Sequence, residues 1–199
     1  MTGPTTAVGN WDAGWYASAR VLASPNCDAR PVAGDVSLIV VHSISLPPGE
    51  FGGDEVPALF TNTLDWDAHP YFQSIRGLRV SPHFFIRRDG SLWQFASCDA
   101  RAWHAGVSMF GNRSQCNDFS VGIELEGLEG ERFERVQYDT LVALCRAIAT
   151  HYPIKAIAGH EHIAPGRKHD PGPGFDWRLV QQALGWPDDR FPPHAFAAA

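Results

Sequence analysis

Ser37-Leu38-Ile39-Val40-Val41-His42 decides what kind of fold this chain takes. A short apolar run rich in Val and Ile reads as a buried strand. The stretch that follows, Leu46-Pro47-Pro48-Gly49-Glu50-Phe51-Gly52-Gly53, is loop by composition. His42 therefore stands at the end of a buried strand and beside a loop. Outward from this point, a long, weakly patterned insert runs to about Arg79, with a helix expected near 56–63. Residues 83–88 read as a strand, Asp89-Gly90 as a two-residue hairpin turn, and 91–96 as the strand that pairs back. Short strands are expected at 102–105 and 119–125. Leu141, Leu144, Cys145, Ile148 and Tyr152 fall at helical spacing, so 135–152 is an amphipathic helix that Pro153 stops. Residues 154–160 read as a strand entering a Pro/Gly-rich loop, and 176–184 as a last helix with Asp176 as its N-cap. The sum is an α/β fold: a single domain with a central mixed β-sheet flanked by helices. Residues 1–36 are expected to be an irregular segment packed on the domain, 37–186 the domain itself, and 187–199 a tail.

Bulk properties narrow the function. The chain has 199 residues, 44% of them hydrophobic, enough for one compact domain with a core. A net charge of -6 argues against a nucleic-acid surface, which needs a basic stripe. No stretch approaches the ~20 apolar residues of a membrane span. The N-terminus lacks the cationic start and apolar run of a secretory signal, which favours the cytoplasm. Cys27, Cys98, Cys116 and Cys145 form no Cys-x-x-Cys pair and read as small core residues. Asn112-Arg113-Ser114 matches a glycosylation sequon, a match without meaning in a cytosolic chain.

Against that background, His42 and His160 each end an expected strand. In α/β sheets the rim beyond strand ends is where ligands bind. Asp170 follows on a loop stiffened by Pro165, Pro171 and Pro173. Two imidazoles and a carboxylate make a three-ligand site for a tetrahedral zinc, with one position open. Spacing alone leaves the alternative of ordinary half-buried histidines satisfied by hydrogen bonds. His162, two residues after His160 on a strand, would face the same side and compete as a ligand. Glu124 lies among Val121, Ile123 and Leu125, where a carboxylate is costly unless paired or functional. Glu126, two positions on and on the same face, is its rival. Lys168 adds a cation, and His83 and His104 are expected near the cleft.

These residues stand inside longer phrases. Residues 38–53 (LIVVHSISLPPGEFGG), 78–90 (LRVSPHFFIRRDG), 101–108 (RAWHAGVS), 116–127 (CNDFSVGIELEG) and 159–177 (GHEHIAPGRKHDPGPGFDW) closely resemble the cytoplasmic, zinc-dependent 1,6-anhydro-N-acetylmuramoyl-L-alanine amidases. Their fold is shared with other N-acetylmuramoyl-L-alanine amidases and with peptidoglycan recognition proteins. The resemblance spans roughly residues 15–184. It implies zinc ligands at His42, His160 and Asp170, a catalytic glutamate at Glu124 and a transition-state lysine at Lys168. It implies a small muropeptide substrate from cell-wall recycling, cut between the lactyl group of the anhydro-muramic acid and L-Ala. In bacteria with an inducible β-lactamase, such an activity restrains that induction. Arg79, His83, Trp103 and Ala164 are the expected substrate contacts, Arg79 for a peptide carboxylate and Trp103 as an aromatic wall for the sugar. A monomer without nucleic-acid or membrane partners is expected.

Two positions depart from the family pattern. Ser43 stands where an asparagine is expected and Gln115 where an arginine is expected, which bears on peptide affinity rather than chemistry. The competing functions are an envelope amidase that trims intact peptidoglycan and a peptidoglycan-binding module without activity. A structural zinc protein is disfavoured, since structural sites are usually closed by four protein ligands.

Overall fold

A computed structural model describes residues 11–193. The apolar run forms the strand Leu38–Ile44, buried over its first five residues. It lies between two parallel neighbours, Ala156–Gly159 on one side and Ser120–Glu126 on the other. Ser120–Glu126 also runs parallel to Phe84–Ile86, which turns back antiparallel into Leu92–Gln94. A two-residue strand, Arg20–Val21, closes the far edge of this six-stranded mixed sheet. Parallel strands with apolar residues on both faces need cover on both. On one face Val41, Val121, Ile123 and Leu125 pack against the helices Arg135–His151 and Trp177–Leu184. Each large side chain buried there contributes about 1.5–3 kcal/mol.

The long helix starts where its capping residues allow. The Glu134 amide donates to Gln137 Oε1 (3.0 Å), and Gln137 Nε2 donates to the carbonyls of Ile86 (3.2 Å) and Glu126 (3.0 Å). One buried glutamine thus both caps the helix and ties it to two strands. Asp176 caps the last helix, accepting from the Leu179 amide at 2.8 Å. The 47–79 insert holds two short helices, Glu55–Phe60 and Pro70–Ser74. They build a second core with Phe85, Trp93 and Phe95.

Four expectations are corrected. The hairpin after Phe84–Ile86 has a three-residue loop: Gly90 donates to the Arg87 carbonyl (2.9 Å), Arg87 to the Ser91 carbonyl (3.0 Å), and Gly90 sits at φ +82°. A left-handed glycine after the turn matches the twist of the strands without a two-residue primed turn. The strand expected at 102–105 is Ala100–Ala102, paired with Cys27–Ala29. The last strand ends at Gly159, and His160 opens the one-turn helix His160–Ile163.

The described part of the N-terminal segment is not irregular. It forms short strands, held by Gln94, which accepts from the Tyr16 amide (2.7 Å) and donates to the Gly14 carbonyl (2.8 Å). Arg30 is buried, and its guanidinium donates to the carbonyls of Cys98, Asn117, Asp118 and Ser120. Residues 194–199 of the expected tail lie outside the described residues.

Candidate active site

Parallel register does the first part of the assembly. Glu124 is the direct neighbour of His42 across the strand pair, and Gly159 pairs with Val41, so His160 follows just beyond the same rim. Asp170 is brought back by the loop, with its own carbonyl accepting from the Glu161 amide at 2.9 Å. The result is a triangle of ligand atoms. His42 Nδ1 lies 2.9 Å from His160 Nδ1, and Asp170 Oδ2 lies 3.1 Å from each. These three residues are the group of metal-capable side chains found among the described residues.

The donor set fits a divalent cation. His160 Nε2 meets the Ala105 carbonyl at 3.1 Å, which accepts only, so the proton sits on Nε2 and Nδ1 is a bare lone pair. That lone pair faces a carboxylate oxygen and a second imidazole nitrogen, and such a cluster is repulsive unless a cation sits among them. A tetrahedral zinc with ~2.0–2.1 Å bonds spaces neighbouring ligand atoms by about 3.3 Å, close to the triangle found. Burial holds the His42 imidazole down to about 4, with the His160 charge acting in the same direction. Burial alone pushes Asp170 up, but the adjoining His160 and His42 imidazoles outweigh it and hold the carboxyl below its usual range. A neutral His42 imidazole beside an ionised carboxylate is the pairing that ligates metal.

Beside the triangle opens a cleft of about 500 Å³. Its polar wall includes Glu124, Lys168, His160 and Asp170, and its apolar wall includes Leu59, Phe60, Tyr71 and Ile75. Glu124 Oε2 is buried and has no protein partner. Burial, and then the Asp170 charge, raise its carboxyl well above the usual range, while the Lys168 charge opposes. Glu126 is pinned instead, accepting from the amides of Gly52 (2.6 Å) and Arg88 (3.0 Å). Of the two rivals, Glu124 is therefore the carboxylate exposed to the cleft. Lys168 sits at the exposed rim, and its amide bonds to the Ala164 carbonyl at 3.0 Å.

None of the four expected substrate contacts is among the residues that line the cleft. His83 is fully buried: Nδ1 accepts from the Gly122 amide (3.0 Å) and Nε2 meets the Ala100 carbonyl (3.1 Å). Burial, and then Arg30, hold this imidazole down to about 3. Trp103 is half-buried and outside the cleft lining, its backbone joined to Asn26 and Ser81. Ala164 is buried and shapes the turn that carries Arg167 and Lys168. Arg79 is exposed, and its neighbours Leu78 and Val80 line the cleft in its place. His162 is no rival ligand, because the helical turn directs its Nδ1 to the Gly159 amide (3.0 Å).

Of the two departures, Ser43 lines the cleft with a buried, unpartnered hydroxyl, and Gln115 is exposed at φ +59°. Sequence reasoning missed Arg167, whose guanidinium donates to the carbonyls of Ala105 and Val107 and joins the metal loop to its neighbour. It also missed Asn117, whose Oδ1 accepts from the amides of His104 (3.1 Å) and Ala105 (2.8 Å). The only signal was their position inside the quoted phrases.

Known proteins resemble this chain in sequence and fold. The profile of the N-acetylmuramoyl-L-alanine amidase family matches residues 32–173, more than half of the chain. The 1,6-anhydro-N-acetylmuramyl-L-alanine amidase AmpD of Citrobacter freundii is 55% identical over 168 residues, covering 83% of this chain and 90% of its own. A crystal structure of a selenomethionine derivative of AmpD superposes with a TM-score of 0.85 at 53% identity, covering 87% of this chain and 98% of that one. AmiD of E. coli, solved with the substrate anhydro-N-acetylmuramic acid-L-Ala-D-γ-Glu-L-Lys, gives 0.56 at 27% identity, covering 78% and 60%. On the family match and the high identity over most of its length, the chain belongs to the N-acetylmuramoyl-L-alanine amidase family, among the 1,6-anhydro-N-acetylmuramyl-L-alanine amidases.

Proposed function

We propose that the protein is a zinc-dependent amidase that hydrolyses the bond between the lactyl group of 1,6-anhydro-N-acetylmuramic acid and L-alanine in small cytoplasmic muropeptides. The observation that carries this reading is the convergence of His42, His160 and Asp170 beside a cleft that also holds Glu124 and Lys168. The named activity of the Citrobacter relative supports the bond, and the muropeptide bound to AmiD supports the substrate class. Residues 37–186 are the catalytic unit in this reading, working as a monomer. No helix of the described residues is long and apolar enough to cross a membrane.

His42, His160 and Asp170 would hold the zinc, which when bound supplies a Lewis acid for the scissile carbonyl and for water. Glu124 takes the proton of the attacking water and hands one to the leaving nitrogen of L-Ala. Its buried setting suits both steps, since a carboxyl with raised proton affinity is a stronger base and holds the proton until the amine leaves. The Lys168 ammonium stabilises the oxyanion, and such a group is worth ~3–4 kcal/mol when removed. The apolar wall gives the sugar a dry face, and Glu126 keeps the 47–53 loop in place through Gly52.

Stripping the metal with a chelator should abolish release of the L-Ala-headed peptide from anhydro-muropeptide, and zinc should restore it. Turnover that survives stripping would sink the zinc chemistry. Faster cleavage of polymeric peptidoglycan than of anhydro-muropeptide would move the assignment to an envelope amidase.

A further inference from the structure

Behind His42 runs a buried chain of hydrogen bonds that the proposed chemistry does not use. His42 Nε2 lies 2.9 Å from His104 Nδ1, His104 Nε2 lies 3.2 Å from Ser120 Oγ, and Ser120 Oγ lies 2.6 Å from the Cys116 carbonyl. The last link fixes every proton before it. A carbonyl only accepts, so Ser120 spends its single proton there. Ser120 Oγ must then accept from His104 Nε2–H. A neutral His104 so protonated has a bare Nδ1, which accepts from His42 Nε2–H. A neutral His42 so protonated presents a bare Nδ1 to His160 and Asp170. We propose that His104 is a positioning residue that sets the tautomer and ring orientation of His42 through a relay anchored at the Cys116 carbonyl.

The surroundings are built for this. All the side-chain members of the relay are buried. Gly122 leaves the space that the His104 ring fills, and a β-carbon there would overlap the ring. Asn117 Oδ1 holds the backbone at His104 and Ala105. That same two-residue stretch serves both imidazoles, His42 through the His104 ring and His160 through the Ala105 carbonyl. Outer partners of this kind typically change metal affinity 10–100-fold when removed.

The inference rests on the zinc reading for its ion, but the tautomer can be read without metal. Two-bond 1H–15N spectra of histidine-labelled, metal-free protein should show His42 protonated at Nε2. His104→Phe removes the acceptor, and Ser120→Ala breaks the relay away from both cleft and ligands. Both should shift His42 toward the Nδ1–H form. Zinc affinity, measured by chelator competition, should fall roughly 10–100-fold in His104→Phe. In His104→Asn, whose Oδ1 replaces the accepting nitrogen, it should stay within about threefold of wild type. Thermal melting of each metal-free variant checks folding. The relay is overturned if wild-type His42 carries its proton on Nδ1, or if His104→Asn binds zinc no better than His104→Phe. A wild-type protein with the expected tautomer that binds no zinc would support the relay and sink the zinc reading instead.

Discussion

Glu124 and Glu126 lie two residues apart on one strand face and have separate roles because of what reaches them. Two backbone amides arrive at Glu126, from Gly52 and Arg88, while no protein donor arrives at Glu124 Oε2. Period-two geometry puts both on the same side, so the sequence left the choice open. The deciding donors lie 74 and 38 residues away along the chain. Glu124→Gln should lower kcat by 10²–10⁴-fold with zinc still bound, measured by peptide release and metal analysis.

His83 makes a different prediction at the same scale. Its imidazole is neutral in the fold and its folded value is depressed to about 3. The unfolded chain takes up a proton near 6.5, so stability is full above that pH and falls as pH drops from about 6.5 toward 3. His83→Gln should reduce the pH slope of stability by about one proton in acid melting series. An unchanged slope would show that this ring does not govern acid stability.

The strand Ser120–Glu126 shows how much a single element can carry. Its odd positions, Val121, Ile123 and Leu125, face the long helix. Its even positions do polar work: Ser120 anchors the relay, Gly122 makes room for His104, Glu124 faces the cleft and Glu126 holds the 47–53 loop. The alternation and the apolar half were legible, because burial follows from period and residue type alone. The polar half was not, because each job is defined by a partner from a distant loop. Gly122→Ala follows directly. It should destabilise by about 1–3 kcal/mol through overpacking and weaken zinc binding together with stability, as denaturant titration and chelator competition would report. The one-turn helix at His160 went unforeseen because four residues are too few to display helical period, and only the turn moves His162 away from the ligands.

Across the whole molecule, the mixed sheet, the long helix and the convergence of His42, His160 and Asp170 could all be read from the sequence. The apolar residues that line the cleft could not. His83, Trp103, Arg79 and Ala164 are sequence neighbours of cleft-forming parts, whereas Tyr71, Ile75 and Phe60 come from an insert with little pattern. That insert is held by the N-terminal segment. Asn26 Nδ2 donates to the carbonyls of Phe60 (3.1 Å) and Val80 (2.9 Å), both of cleft-lining residues, and Ser24 Oγ donates to Phe60 as well. Asn26→Ala should cost about 1–3 kcal/mol of stability. It should raise KM more than it lowers kcat, since it loosens the wall and leaves the metal ligands alone; an equal fall in kcat with KM unchanged would count against this. The same segment supplies Arg20–Val21, the short strand that finishes the sheet. Long bare sheet margins recruit other chains, and a two-residue margin offers little to recruit with. A protein cut short before residue 22 would expose Leu92–Gln94 as its border, and its first failing would be to clump with its own kind as concentration rises, before any failing of chemistry.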